Sequence, residues 1–467
     1  TQFWESGGEV ATLWKELAKE MTEKGTRDQN ECNTVDDNGT PGSGRTATNP
    51  EKKACNYLHG GLKELYKDVG SMATTSASTT SSSSDEKILD KNPLLRQTVG
   101  CLLLNAYAKK MKSEAKCLVE SGIKKAFATD VKDLNGQCTN NGSCIKCEWN
   151  ENYDDCTITL KGAMKETPDK KLENVQSKID ETSSTTTKNN INLTPSLCDQ
   201  LKCAAPKWFQ NNRTTNGSTA NNKTWCDFWE QGVKTTLTEM FQHITTEGQN
   251  TSSTYTIART CQGFGDGNTD SVERKACNHI ARGLKYIDDI KPNVSGGSGS
   301  VTTTSSSNDQ YKQLLQRAVA CIALNMYADK IINASKDKCP IDESKIQKMF
   351  TYGNVIHNTS CSNSGGSGNN VCFKCERKPN FNGCELSVSN TLIDTTSPSP
   401  SGNCTSGAEN KKVPEKMTKL LQDKTIKMEE TLSTINDMSK SFCTKMQCAA
   451  KQYYAKKNGG NSTGVSW

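Results

Sequence analysis

Ten cysteines recur in the same order twice along the chain, and that register limits the fold more than any other feature. Cys32, Cys55, Cys101, Cys117, Cys138, Cys144, Cys147, Cys156, Cys198 and Cys203 align with Cys261, Cys277, Cys321, Cys339, Cys361, Cys372, Cys375, Cys384, Cys443 and Cys448. Neighbouring residues travel with them. Lys53-Ala54-Cys55-Asn56 with Gly61-Leu62-Lys63 matches Lys275-Ala276-Cys277-Asn278 with Gly283-Leu284-Lys285, and Cys203-Ala204-Ala205 matches Cys448-Ala449-Ala450. A repeat carried on such a framework predicts two copies of one disulfide-braced domain. Twenty-two cysteines against four histidines in 467 residues favour disulfides in an oxidising, extracellular setting over a set of zinc sites.

Between the cysteines the periodicity is helical. Leu95, Val99, Leu102, Leu103 and Ala106 form a stripe that Leu315, Val319, Ile322, Ala323 and Met326 repeat. This predicts a central helix in each copy, with Cys101 and Asn105, or Cys321 and Asn325, beside the apolar side. Their recurrence assigns them to scaffold, as a disulfide anchor and a helix-side hydrogen bond. Phe3-Trp4-Glu5 and Phe228-Trp229-Glu230 open the copies, and these aromatics read as core anchors. Second helices are expected near 51–69 and 271–290, with Gly61 and Gly283 marking a close helix–helix approach. Shorter helices should carry Ile123 and Phe127, or Ile346 and Phe350. Longer helical patterns lie near 169–181 and 414–436, and a C-x4-C helix closes each copy. Ser/Thr/Gly tracts at Thr74–Ser84 and Ser295–Ser307 interrupt the copies at the same place and bury too little apolar surface to order themselves.

The C-x-x-C pairs precede turn-rich segments and short alternating runs, Thr157–Leu160 and Glu385–Val388. This predicts a small hairpin in each copy, stapled by Cys147–Cys156 and Cys375–Cys384. A redox role would need the pair at a helix N-terminus in a βαβ setting, and a zinc ribbon is the weaker competitor. The second copy has two further cysteines, Cys226 and Cys404, both lacking in the first, which predicts that they bond to each other. The expected fold is mainly α: two tandem disulfide-rich helical domains, each with a small cysteine-rich β-hairpin and long low-complexity loops. A ten-cysteine domain spans 1–210, a linker 211–224 and a twelve-cysteine domain 225–457. Residues 458–467 are a linker and the start of a further repeat, since Trp467 stands where Trp225 does, so the chain reads as a piece of a longer array.

Several function classes fall away. None of the four histidines recurs between copies: His59 stands against Ala281, His279 against Tyr57, and His243 and His357 lie in variable surroundings. With no nucleophile elbow, zincin motif or phosphate loop, no set of paired catalytic roles is assembled and no enzyme is expected. Acidic pairs such as Asp36-Asp37 and Asp288-Asp289 read as turn or helix-end charges. No basic stripe interleaved with aromatics points to nucleic acid. The clusters Lys109-Lys110-Met111-Lys112 and Lys456-Lys457 are too short for an interaction tail and read as solvated helix faces. No cofactor or metal is expected. Sequons such as Asn38, Asn141, Asn192, Asn212, Asn293 and Asn358 mark exposed segments.

The combination of Phe-Trp-Glu, Lys-Ala-Cys-Asn with Gly-Leu-Lys, Cys-x2-Leu-Asn-x-Tyr-Ala, the C-x-x-C with a following cysteine and the closing C-x4-C-Ala-Ala resembles the cysteine-rich repeat of the SICA antigens. These are the schizont-infected cell agglutination variant antigens of a malaria parasite. The resemblance runs over nearly the whole chain. It implies an ectodomain fragment of a variant antigen on the extracellular face of the infected red-cell membrane, serving antigenic variation and immune evasion. Membrane attachment is then expected only through segments outside this chain, and host antibodies are the expected partners. The alternative is an adhesin module that binds a host cell-surface receptor or glycan through Lys109, Lys110 and Lys112.

Overall fold

Helix formation at 49–66 starts from a reciprocal cap. The Thr48 backbone N–H and hydroxyl both donate to the Glu51 carboxylate, at 2.9 and 2.8 Å, and Pro50 sits in the first turn. The matching helix opens on Ser271, whose hydroxyl accepts from the Arg274 N–H at 3.1 Å. Both belong to a computed structural model of the chain. It describes residues 2–5, 7–27, 29–36, 44–67, 87–136, 138, 144–153, 158–159, 165–166, 168–216, 219–246, 257–290, 307–357, 373–378, 381–394, 408–438 and 441–457. The fold is mainly α and cysteine-rich. It divides into two compact units, 1–195 with 389–391, and 196–388 with 392–467.

Unit 1 contains α1 (Glu9–Lys24), the strand pair β1 (Thr34–Val35) and β2 (Arg45–Thr46), α2 (Asn49–Tyr66), α3 (Ile88–Lys91) and α4 (Pro93–Glu114). After these come α5 (Glu120–Ala128), α6 (Val131–Leu134), β3 (Ile158–Thr159), β4 (Lys165–Glu166) and α7 (Pro168–Thr186). Its core joins Leu13, Trp14 and Leu17 of α1, Leu58 and Leu62 of α2, Leu103 and Tyr107 of α4, and Val175 and Ile179 of α7. The central helix α4 is buried around more of its circumference than a single stripe requires: Leu104, Tyr107 and Ala108 are buried besides Val99, Leu103 and Ala106, while Leu95 and Leu102 are half-buried. Phe3 and Trp4 pack half-buried against this core. Gly61 carries the expected close approach, because a Cβ there would lie 2.7 Å from Leu104 Cδ2.

Unit 2 begins with α8 (Leu197–Asn211) and the strand pair β5 (Thr214–Asn216) and β6 (Thr219–Asn221). Next, α9 (Trp225–Asp227) continues through a π-helical stretch, Phe228–Val233, into α10 (Lys234–Thr245). Then follow α11 (Val272–Asp289), α12 (Ser307–Ser335), α13 (Glu343–His357), α14 (Val413–Leu421), α15 (Met428–Ile435) and α16 (Phe442–Lys457). Phe228 and Trp229 are core residues, as expected. At Gly283 a Cβ would meet Leu324 Cδ1 at 2.5 Å, the counterpart of Gly61.

Four expectations need correction. Helix α8, read as the end of the first domain, packs in the core of unit 2, so the division falls at 195/196 rather than at 210. The aromatic pair at its end explains this: Trp208 lies 5.3 Å from Phe228, and Phe209 lies 5.0 Å from Trp225, ring centre to ring centre. The segment 211–224, read as a plain linker, contains the β5–β6 pair. The single helix expected over 414–436 is two, because the Asp423 carboxylate accepts from the Thr425 N–H at 2.8 Å and Lys427 turns left-handed at φ 60°. Finally, the short run at 157–160 contributes β3, which pairs with β4 further along the chain rather than with the C-x-x-C segment, and Glu385 makes an isolated bridge to Lys412. Residues 74–84 and 295–306 lie outside the described residues.

Candidate functional site

Each unit turns on one side-chain amide, aimed from the central helix at the C-x-x-C segment. In α4, Asn105 Nδ2 donates to the Cys101 carbonyl at 2.9 Å and to the Glu148 carbonyl at 3.2 Å, while Oδ1 accepts from the Asn150 N–H at 2.8 Å. In α12, Asn325 donates to the Cys321 carbonyl at 2.9 Å and to Glu376 at 3.1 Å, and accepts from the Lys378 N–H at 2.7 Å. Both asparagines are buried. One turn back, Cys101 is bonded to Cys147 and Cys321 to Cys375, with Cα atoms 5.4 and 5.6 Å apart. Amide and disulfide together hold the extended segment along the helix.

This geometry overturns two predicted pairs. Cys147 bonds Cys101 rather than Cys156, and Cys375 bonds Cys321 rather than Cys384. Reading the C-x-x-C as one arm of a stapled hairpin missed that its partner is the helix, to which the asparagine already ties it. Cys384 bonds Cys198 of α8 instead, across 186 residues. Cys32–Cys55, Cys138–Cys144, Cys261–Cys277 and Cys339–Cys448 are further pairs. Cys117, Cys203 and Cys226 are also disulfide-bonded. Cys156, Cys361, Cys372 and Cys404 lie outside the described residues, so the predicted Cys226–Cys404 bond does too. Cys443 is a free, exposed thiol.

A buried carboxylate stands at the start of the second helix in each unit, and sequence reasoning missed it. Glu51 forms a two-pronged ion pair with Arg45 of β2, at 2.8 and 2.5 Å. Its counterpart Glu273 is met by Lys345 of α13 and Lys451 of α16. Although burial pushes the Glu273 carboxyl up, these lysines hold it below the usual carboxylate range. The position of Lys345 is occupied in unit 1 by Gly122, where a Cβ would fall 2.0 Å from the Glu51 carbonyl oxygen. One copy fills that space with a cation, and the other closes helix on helix and brings its cation from a strand. The Thr48-x-x-Glu51 capping pattern was the available signal.

The lysine cluster of α4 is occupied locally. Lys112 Nζ lies 3.1 Å from Glu120 and 2.9 Å from Glu151, Lys110 lies 3.4 Å from Glu114, and Lys109 sits over the Tyr153 ring at 5.2 Å. Residues 456–457 close α16. Two of the histidines, His59 and His279, serve as core. Burial drives His279 down to about 3, with Nδ1 2.8 Å from the Tyr327 hydroxyl, and drives His59 down to about 4. Among the described residues no group of histidine, cysteine and carboxylate side chains could hold a metal ion, and no helix is long and apolar enough to cross a membrane.

The family model of the SICA extracellular beta domain matches the chain over residues 1–158 and again over 196–386. The chain belongs to that family. Its second match starts at residue 196, the residue at which unit 2 begins, so family pattern and packing agree that α8 opens a SICA beta domain. No curated protein and no solved structure matches the chain. The family is one of extracellular surface-antigen domains and not a known enzyme family.

Proposed function

We propose that this pair of SICA beta domains is the ectodomain part of a variant antigen displayed on the extracellular face of the infected red-cell membrane, where it serves antigenic variation and immune evasion. Attachment to that membrane is through segments outside this chain, and host antibodies are its partners. One observation carries the reading. The clasp of Cys101, Cys147 and Asn105 recurs as Cys321, Cys375 and Asn325, while the sequence before and between the clasped parts differs in length and composition. Five residues separate Cys138 from Cys144, against ten between Cys361 and Cys372, and Thr74–Ser84 has a differently composed counterpart in Ser295–Ser307. A scaffold fixed by helix, amide and disulfide tolerates such changes, because loop insertions cost little closure entropy. An adhesin acting through Lys109, Lys110 and Lys112 has less support, since each already has a local partner.

The test replaces residues 74–84, or 295–306, with unrelated Ser/Thr/Gly sequence in the full chain. The melting temperature should stay within about 2 °C, a shift worth less than about 1 kcal/mol for domains of this size, while antibodies raised against the native chain lose part of their binding. A drop in melting temperature equal to that of the core variant Leu103→Ala sinks the proposal. So does unchanged recognition by every antibody.

A further inference from the structure

Two helices in unit 2 carry the same C-x4-C pattern, and they have opposite fates. In α8 the positions i, i+4, i+7 and i+11 are Leu197, Leu201, Ala204 and Trp208, exposed by 7, 1, 0 and 6%, and Cys198 is bonded to Cys384. The aligned positions of α16 are Phe442, Met446, Ala449 and Tyr453. Phe442 is 77% exposed, Met446 60% and Tyr453 62%, and Cys443, which aligns with Cys198, is a free thiol. These spacings form one helical stripe. The stripe therefore exists twice, seated once and bare once.

The bare face does not belong to a loose helix. On its other side α16 is fixed by Cys448–Cys339, by the Lys451–Glu273 ion pair, and by Asn268 Nδ2 donating to the buried Thr444 hydroxyl at 2.9 Å. Five residues of α-helix turn through about 500°, which leaves Cys443 and Cys448 about 140° apart around the axis. One cysteine closes the helix onto its own unit while the other points elsewhere. The end of the stripe is already shaped as in α8. Tyr453 and Tyr454 meet edge to face at 5.4 Å and 82°, and Trp208 and Phe209 do so at 5.2 Å and 87°. In α8 that ring pair enters a seat made by Trp225, Phe228 and Gly232, where a Cβ on the glycine would lie 2.9 Å from the Trp208 indole nitrogen.

We propose that the exposed face of α16, formed by Phe442, Cys443, Met446 and Tyr453, is a docking surface for the body of a further copy of this domain, clasped by a disulfide from Cys443 to that copy's counterpart of Cys384. The occupant is named by the Cys198–Cys384 bond and the α8 seat, which show what receives a helix of this pattern. Forming the bond removes two thiol protons and two electrons. A low-molecular-weight disulfide takes them up and leaves as two thiols. The inference rests on the repeat and is independent of the proposed role in antigenic variation.

A transplant within the full chain tests it. Residues 197–211 are replaced by the sequence of residues 442–456, which puts the α16 face against the unit 2 body. Non-reducing peptide mapping should find the transplanted cysteine bonded to Cys384. The melting temperature should lie within about 5 °C of the unaltered chain, the size of shift expected from volume-conserving apolar exchanges. The same transplant carrying Met446→Asp should lower the yield of that bond roughly tenfold, because a charge then replaces a buried side chain. Leu201→Asp in the unaltered chain calibrates the loss from one misplaced charge in the seat. Cys384 left as a free thiol by the transplant, with unit 2 damaged as much as by Leu201→Asp, overturns the proposal. An equal bond yield with and without Met446→Asp also overturns it, since the face would then contribute nothing.

Discussion

Asn325 and Lys378 are joined by a 2.7 Å hydrogen bond from the lysine backbone N–H to the asparagine Oδ1, which fixes the segment after Cys375 against the middle of α12. Arg377 between them donates to the Asn325 carbonyl at 3.0 Å and pairs with Glu343 at 2.8 Å. Asn325→Leu keeps the approximate volume and leaves the Glu376 carbonyl and Lys378 N–H without their partner. At about 1–1.5 kcal/mol for each lost bond to a buried group, the expected destabilisation is roughly 2–3 kcal/mol. Urea denaturation of the full chain measures it. Asn105→Leu should cost unit 1 a similar amount, and a loss below about 0.5 kcal/mol in both would show that the amides are ornamental.

Glycine substitutions separate two kinds of close approach. At Gly122 the obstacle to a Cβ is backbone, the Glu51 carbonyl oxygen at 2.0 Å, whereas at Gly283 it is the end of the Leu324 side chain at 2.5 Å. Alanine gains about 1 kcal/mol of helix propensity at either site. Overpacking typically costs about 1–3 kcal/mol, so Gly283→Ala should be mildly destabilising. Gly122→Ala, which has to move α5 from α2, should be worse. The reverse order in thermal melts would mean that the α2–α5 approach is softer than its distances imply.

Disulfide connectivity is directly measurable. Non-reducing digestion should yield the linked peptides Cys101–Cys147, Cys321–Cys375 and Cys198–Cys384. Replacing both Cys321 and Cys375 by alanine should lower stability by about 2–4 kcal/mol, since the bond closes a long loop. Recovery of Cys375–Cys384 would restore the stapled-hairpin arrangement.

Acid should loosen unit 2 through His279. Its folded value is about 3, so it stays neutral in the fold while the unfolded chain takes up a proton below about pH 6.5. The unfolded state then binds more protons, and stability falls as pH drops from about 6.5 towards the folded value, by at most about 1.4 kcal/mol per unit. Arg282 and Lys275 act in the same direction. His279→Phe removes this proton uptake and should flatten the dependence between pH 6.5 and 5, whatever it does to stability at neutral pH through the Tyr327 contact. Equal slopes for the two chains would rule the histidine out as the cause.

The sequence carried much of this. Cysteine register and apolar spacing located the helices, and the recurrence of Asn105 as Asn325 identified the scaffold hydrogen bond. Gly61 and Gly283 marked the close approach that their distances now show. Alignment supplied the period of the repeat but not its phase. A periodic pattern looks the same wherever the unit is cut, and it is packing, such as the seat of Trp208 against Phe228, that shows α8 opening a unit. Pairing failed for a related reason. Cys147 and Cys156 are close along the chain, but the Glu148 carbonyl beside Cys147 is claimed by Asn105 of the central helix, 43 residues away in sequence, a contact that no local spacing reveals. The Glu51 and Glu273 sites were hidden because their cations come from different elements in the two copies.

The bond from Cys198 to Cys384 also has a mechanical meaning. It brings residues 186 apart in sequence to a Cα separation of 5.6 Å. Fully extended, that stretch would reach roughly 600 Å, at about 3.4 Å per residue. While the bond is intact, tension applied outside the two cysteines recovers none of that length, even if every helix between them melts. For an extracellular domain under tension, the crosslink holds that stretch at nearly constant length, and chemical reduction rather than force is what lets it out.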